Sequence, residues 1–199
     1  MTDFVSNVLK FFFLLTPFFG LSMFIAMTSE YALHGRRVLA VRVAVAVAVI
    51  GLVLFFVGYR ILTLFGITVD AFRVGTGILL MLTSISLMNP QPRRKKNRGG
   101  DIAVIPLAMP VFIGPATLGT LVVLSADATG AGARVHIAFA WLAAAVLIGI
   151  MLQFTAWIEQ RLGRRGLDIL MRLTALVLAA LSAQMILGGT KNFLFPPGP

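Results

Sequence analysis

Between Ile105 and Thr120 the chain reads Ile-Pro-Leu-Ala-Met-Pro-Val-Phe-Ile-Gly-Pro-Ala-Thr-Leu-Gly-Thr, a stretch apolar enough for lipid that nevertheless carries Pro106, Pro110, Gly114, Pro115 and Gly119. Backbone N–H and C=O groups facing hydrocarbon must be paired, so helix breakers at this density require surroundings of protein or a wet cavity. Pro115 directly after Gly114 marks a stop and a restart, because proline suits the first position of a helix. The reading is a helix that breaks near Ile113 and resumes near Pro115, at about mid-membrane. Such breaks are where transporters hold what they carry.

The rest of the chain supports a membrane setting. Of 199 residues, 59% are hydrophobic and 12% charged, against about 25% charged in a soluble domain. At roughly 20 apolar residues per spanning helix, six spans and short loops use up the length, leaving no room for a soluble catalytic domain. The formal charge of +10 does not by itself indicate nucleic acid, because in a membrane protein the placement of Arg and Lys carries the information. There is no cysteine, hence no disulfide or thiolate metal site. The start, Met-Thr-Asp-Phe, lacks a basic region, and no cleaved signal peptide is expected.

Span one is expected from about Phe4 to Met27 and contains Thr16-Pro17-Phe18-Phe19-Gly20-Leu21-Ser22. Span two is the Val/Ala-rich run from Val38 to Leu64, whose unbroken length favours a membrane helix over a strand. Span three, Ala71 to Met88, places Gly75, Thr76, Gly77, Thr83, Ser84 and Ser86 among leucines, the small and hydroxyl residues that let membrane helices pack closely. Residues 89–100, with Arg93, Arg94, Lys95, Lys96 and Arg98 between prolines and paired glycines, read as a flexible basic linker. Span four holds the opening stretch and ends near Ala126. Span five reaches about Trp157, and a second basic turn holds Glu159, Arg161, Arg164 and Arg165. Span six runs from Leu167 to Leu187. With the N-terminus outside, eleven basic residues fall in inward loops and four in outward ones, so both termini are expected outside the cytoplasm.

The linker divides the chain into residues 1–88 and 101–199, three spans each. Each half opens with a span interrupted by proline and glycine and closes with one that has an arginine near its start, Arg73 and Arg172. An odd number of spans per half inverts one half relative to the other. Interrupted helices at matching places in inverted halves point to a transport site. The expected fold is therefore an all-α polytopic membrane protein of six helices, built as two inverted three-helix repeats with helices 1 and 4 interrupted.

Three segments carry a family likeness: Phe65-Gly66-Ile67-Thr68-Val69-Asp70-Ala71-Phe72-Arg73-Val74-Gly75-Thr76-Gly77-Ile78-Leu79-Leu80, Ile105 through Pro115, and Ala183-Gln184-Met185-Ile186-Leu187-Gly188-Gly189. The chain resembles the MarC family of six-span bacterial inner-membrane proteins over almost its whole length. The resemblance implies a location in the bacterial inner membrane and transport of small neutral amino acids such as glycine and alanine. It differs from the family pattern in having Thr16-Pro17 where an Asn-Pro motif is usual, and Gly75-Thr76-Gly77 where a small pair is usual.

A zwitterionic solute needs partners for a carboxylate and an ammonium group. The N-terminal end of a resumed half-helix offers free N–H groups and a positive dipole, near Pro115, Ala116 and Thr117 in span four and near Gly20, Leu21 and Ser22 in span one. Carbonyls released by Pro17 and Pro110, with the hydroxyls of Thr16, Thr117 and Thr120, suit the ammonium. Gly20, Gly114 and Gly119 leave a small pocket. Hydroxyls in membrane helices also commonly bond their own backbone. Arg73, three residues after Asp70 and within helical pairing distance, and Arg172 read as structural or interfacial residues. Gln184 reads equally as an interhelical hydrogen bond or a pore contact.

Every acidic residue falls at a span end or in a loop, so a proton relay through a carboxylate inside the membrane is not supported. No H-E-x-x-H or G-x-S-x-G motif is present and the two histidines, His34 and His136, lie in loops, so neither enzymatic activity nor a metal or cofactor is expected. A structural or regulatory membrane protein and a passive channel stay open as alternatives. The partners expected are the lipid bilayer and a small neutral amino acid, with no nucleic acid.

Overall fold

The computed structural model describes residues 2–28, 31–88, 111–128 and 130–195. The basic linker and Pro110 lie outside the described residues. Within them every element is a helix: α1 (Thr2–Leu14), α2 (Pro17–Thr28), α3 (Leu33–Leu64), α4 (Val69–Met88), α5 (Pro115–Asp127), α6 (Ala131–Gln153) and α7 (Thr155–Leu194).

Span two appears as α3, which shows why a Val/Ala run becomes a helix here. Leu39, Ala40, Val43, Val47, Gly51, Phe55, Gly58 and Leu62 are buried, each three or four residues from the next but for the first pair, and so on one face. Val41, Val45, Val49 and Val53 point outward and are more than half exposed. A helix that is apolar on all sides suits a lipid surround, where only internally bonded backbone is stable. Helices α3, α4, α6 and the Arg165–Leu194 part of α7 are each long and apolar enough to cross a membrane; α1 and α2, bent by 43° at their junction, give a fifth candidate if counted together. At 13 residues, α5 would cover about 20 Å at 1.5 Å per residue, short of a roughly 30 Å hydrocarbon core.

The second basic turn falls at a kink inside α7. α6 ends at Gln153, and α7 begins at Thr155 and remains helical through the basic segment. Gly163 alone leaves helical conformation, at φ 60° and ψ −178°, a backbone that glycine tolerates because it has no Cβ. The segment before that bend carries Trp157 with the Arg161 guanidinium 5.7 Å from its ring centroid, a pairing that suits a membrane–water interface.

The largest helix–helix contact is between α4 and α7; α3 packs on α6, α5 packs against α3 and α4, and α2 packs against α6 and α7. Small residues set these distances. Ser182 donates its hydroxyl to the Gly77 carbonyl at 2.7 Å, and a Cβ on Gly77 would stand 2.7 Å from Ile186 Cγ1. At the centre of α3, the missing side chain of Gly51 is replaced by the Trp141 indole. That indole donates to the Ala48 carbonyl at 3.3 Å and meets the Phe11 ring edge-on at 5.4 Å.

Candidate functional site

The two helix breaks share a first-turn proline and differ in the backbone before it. In the first, the Leu15 N–H bonds back to Phe11 O at 3.0 Å and the Thr16 N–H to Phe13 O at 2.9 Å, tightening the end of α1. Pro17, which has no N–H to lose, then opens α2, and the Gly20 N–H donates to Thr16 O at 2.9 Å. In the second, Gly114 is extended at φ −85° and ψ 173°, Pro115 opens α5, and the Leu118 N–H donates to Gly114 O at 3.0 Å. Thr16 and Gly114 each accept the first N–H bond of the helix that follows and each precede its first-turn proline, but Thr16 is left-handed and Gly114 extended. The break expected between Ile113 and Pro115 is where the helix interruption lies.

Each break also releases a carbonyl, and the other break supplies a donor. In a continuous helix Val111 O would accept from the N–H of residue 115, but Pro115 has none; the Thr16 hydroxyl stands 3.5 Å away, at the long end of hydrogen-bond range. Leu14 O has lost its helical partner because the chain turns at Leu15 and Thr16, and the buried Thr117 hydroxyl donates to it at 3.2 Å. Thr16 makes its contact from a left-handed backbone, φ 47°, in a buried position, a conformation that costs a non-glycine residue about 1 kcal/mol or more.

A cavity of about 380 Å³ opens at this crossing. Its walls are Leu14, Thr16 and Phe19 from the first break, Val111, Phe112, Gly114, Pro115, Ala116 and Thr117 from the second, and Leu79, Leu80, Leu82, Thr83, Ser86 and Leu87 from α4. No ionisable side chain is among them. The polar side chains among them are hydroxyls, and Ala116 and Thr117 belong to the first turn of α5, where no intrahelical carbonyl is available to an amide. A larger groove, lined by Leu9, Phe12, Leu147, Ile150, Met151, Phe154, Trp157 and Ile158, is apolar and lies between α1, α6 and the start of α7.

Of the residues expected at the site, Thr16, Gly114, Pro115 and Thr117 line the cavity. Pro17 is buried beside it. Gly20 leaves no room for solute, because the Phe112 ring occupies the space a Cβ would need, and the Thr76 side chain does the same at Gly119. Ser22 is half-buried and outside the lining. Thr120 bonds its own helix at Ala116 O, 2.9 Å, with Met185 Sδ at 3.7 Å. Gln184 is exposed on the outer face of α7 and does not reach the cavity. Thr83 and Ser86, expected to serve helix packing, stand in the cavity wall; their three-residue spacing on one face of α4, in line with Leu79 and Leu82, is the signal for that position.

The charged residues sit away from this crossing. Arg73 reaches Asp127 at the end of α5 through both carboxylate oxygens, at 2.5 and 2.6 Å, and Asp70 at 3.3 Å. Asn192 of α7 donates to the same Asp70 oxygen at 3.3 Å. Arg172 is exposed and has no carboxylate partner among the described residues. Two further arginines cap the resumed half-helices: Arg36 Nε donates to Thr28 O at 2.8 Å and Arg134 Nε to Ala128 O at 3.4 Å, where a cation complements the carbonyl end of a helix.

Apolar spanning helices, paired breaks and an uncharged internal cavity define a multi-pass integral membrane protein. The model of the MarC family integral membrane protein matches residues 1–194, and the chain belongs to that family. It is 31% identical over 191 residues to a UPF0056 membrane protein of Methanocaldococcus jannaschii, covering 92% of this chain and 93% of that one. Identity is 27% over 207 residues to the UPF0056 membrane protein YvbG of Bacillus subtilis, covering 98% of each chain. The UPF0056 membrane protein YhcE of Escherichia coli is 28% identical over 201 residues, covering 93% of this chain and 90% of that one. These names give neither a solute nor a reaction. No solved structure matches the chain.

Proposed function

We propose that the protein is an inner-membrane carrier of small neutral amino acids of the glycine or alanine type, which bind in the cavity where the two broken helices cross. The observation that carries this reading is the lining: hydroxyl-bearing residues and the first turn of α5, with no ionisable side chain. A net-charged solute would lack a counter-charge there, at a high desolvation cost, whereas a zwitterion brings its own balance. Its carboxylate suits the Ala116 and Thr117 amides at the positive end of α5. Its ammonium suits the hydroxyls of Thr83 and Ser86 across the cavity. Leu14 O and Val111 O, which face threonine hydroxyls, become acceptors only if those hydroxyls rotate away.

Six spans in two inverted repeats are part of the proposal. The first-turn prolines of α2 and α5 correspond. So do the arginines that cap their ends, and α2 packs on α6 and α7 as α5 packs on α3 and α4. Halves related in this way would bring both breaks to one depth at the midplane, with residues 89–100 as the cytoplasmic linker between residues 1–88 and 101–199 and both termini outside.

The test is uptake of labelled glycine, alanine, glutamate and lysine into liposomes containing the purified protein. Uptake of glycine or alanine well above that of the charged pair is expected. Uptake of all four equal to that of protein-free vesicles would rule out the carrier.

A further inference from the structure

The proposed solute site does not use the polar cluster at the Asp70 end of α4, yet that cluster joins the two halves of the chain. Asp70 and Arg73 belong to α4, Asp127 to the end of α5 and Asn192 to α7. The Arg73 side chain is 15% exposed and that of Asp127 is 47% exposed, an ion pair at an edge, where its net strength is modest and it can open repeatedly.

The position of the cluster relative to the cavity gives it a role. From Arg73 to the α4 wall between Leu79 and Leu87 is about 10 to 20 Å along the helix at 1.5 Å per residue. Between them lies Thr76, 3% exposed, whose side chain fills the space of the missing Cβ of Gly119 on α5. Moving inward from the Asp70 end, the order is ion pair, closed α4–α5 contact, then cavity.

We infer that Arg73 and Asp127 form a latch that holds the cavity shut at the Asp70 end. The inference rests on the carrier reading, since a single central site must be reached from one side at a time. A contact made in one conformation and lost in the other sets the balance between them. Separating α4 from α5 breaks the Arg73–Asp127 pair and the Thr76–Gly119 contact together.

The absence of cysteine allows a direct test by the rate at which a membrane-impermeant maleimide labels single introduced thiols in the reconstituted full chain. Thr76→Cys should label slowly. Adding Asp127→Asn should raise that rate roughly threefold or more, and Asp127→Glu should return it to the slow value. Ser86→Cys, labelled with and without Asp127→Asn, reports that the fold is intact. If Asp127→Asn does not yield folded protein, Arg73→Lys, which keeps the charge but loses the two-pronged contact, is read in its place with the same expectation. An unchanged rate at position 76 beside retained labelling at position 86 would overturn the latch. The readout does not depend on solute movement. Faster labelling in a protein that exchanges no amino acid keeps the latch and removes the carrier reading, whereas exchange with unchanged labelling removes the latch alone.

Discussion

Thr117 donates its hydroxyl to the carbonyl of Leu14 at 3.2 Å, across 103 residues of sequence, inside the buried crossing of two broken helices. The Thr16 hydroxyl faces Val111 O in the opposite direction, at 3.5 Å. The reciprocity has a simple cause. Each proline removes a donor or turns the chain, each break leaves a carbonyl without its helical partner, and low-dielectric surroundings make such a carbonyl costly. A threonine at each break supplies the other.

Thr117→Val and Thr16→Val keep side-chain shape and remove the donors. Each should destabilise the protein by about 1 to 3 kcal/mol, the cost of a buried carbonyl left unpaired. Because both act on one crossing, the double variant should lose less or more than the sum of the two by a measurable coupling term. Unfolding by denaturing detergent, followed by helical signal, gives the three values. Strict additivity would show that the contacts are independent of each other.

Thr16→Asn tests the backbone at the first break. Asparagine enters the left-handed region far more readily than a β-branched residue, and its amide still offers donors toward Val111 O. The same unfolding measurement should show a gain of about 1 kcal/mol. A loss would mean that the packing of the threonine methyl outweighs backbone strain. The usual Asn-Pro of the family pattern fits a position that needs φ near +47°.

Gly20→Ala should be harmful although it is the smallest possible change, because its methyl would enter the Phe112 ring. Overpacking of this kind costs about 1 to 3 kcal/mol. Phe112→Leu in the same chain should recover part of that loss. Equal stability of Gly20→Ala and the unsubstituted protein would show that Phe112 moves aside freely.

The proposed topology rests on charge placement. A single cysteine at position 97, in the basic linker, should react with an impermeant reagent only from the cytoplasmic side. Reaction in intact cells would invert the proposed orientation.

The sequence made some of these features legible and hid others, for physical reasons. Pro115 after Gly114 marked the break, since proline and glycine act on their own backbone whatever surrounds them. α3, α4, α6 and the Arg165–Leu194 part of α7 were legible as spans because apolar length alone selects a membrane helix. What periodicity could not carry was the face. α7 is apolar on most sides, so nothing local distinguished the exposed side of Gln184 from the buried side of Ser182. Gly20 and Gly119 looked like space for solute, but their partners Phe112 and Thr76 are distant in the chain. The Arg73–Asp70 pair was visible at helical spacing; its stronger partner, Asp127, lies 54 residues away. The charges of Glu159–Arg165 break the apolar run and mark a turn, which is confined to a kink at Gly163 with helix on either side, since charges on a helix at an interface are compatible with continued helix.

A neutral amino acid is proposed to bind where the two breaks cross. Exchange of labelled alanine by liposomes carrying the unsubstituted protein or Gly114→Leu tests it most directly. Gly114 lines the cavity in an extended conformation, φ −85° and ψ 173°, open to any residue, so leucine there should leave the fold intact in detergent while filling the site. Exchange by the unsubstituted protein and its loss in a folded Gly114→Leu variant is the predicted result. Undiminished exchange in that variant would contradict the account.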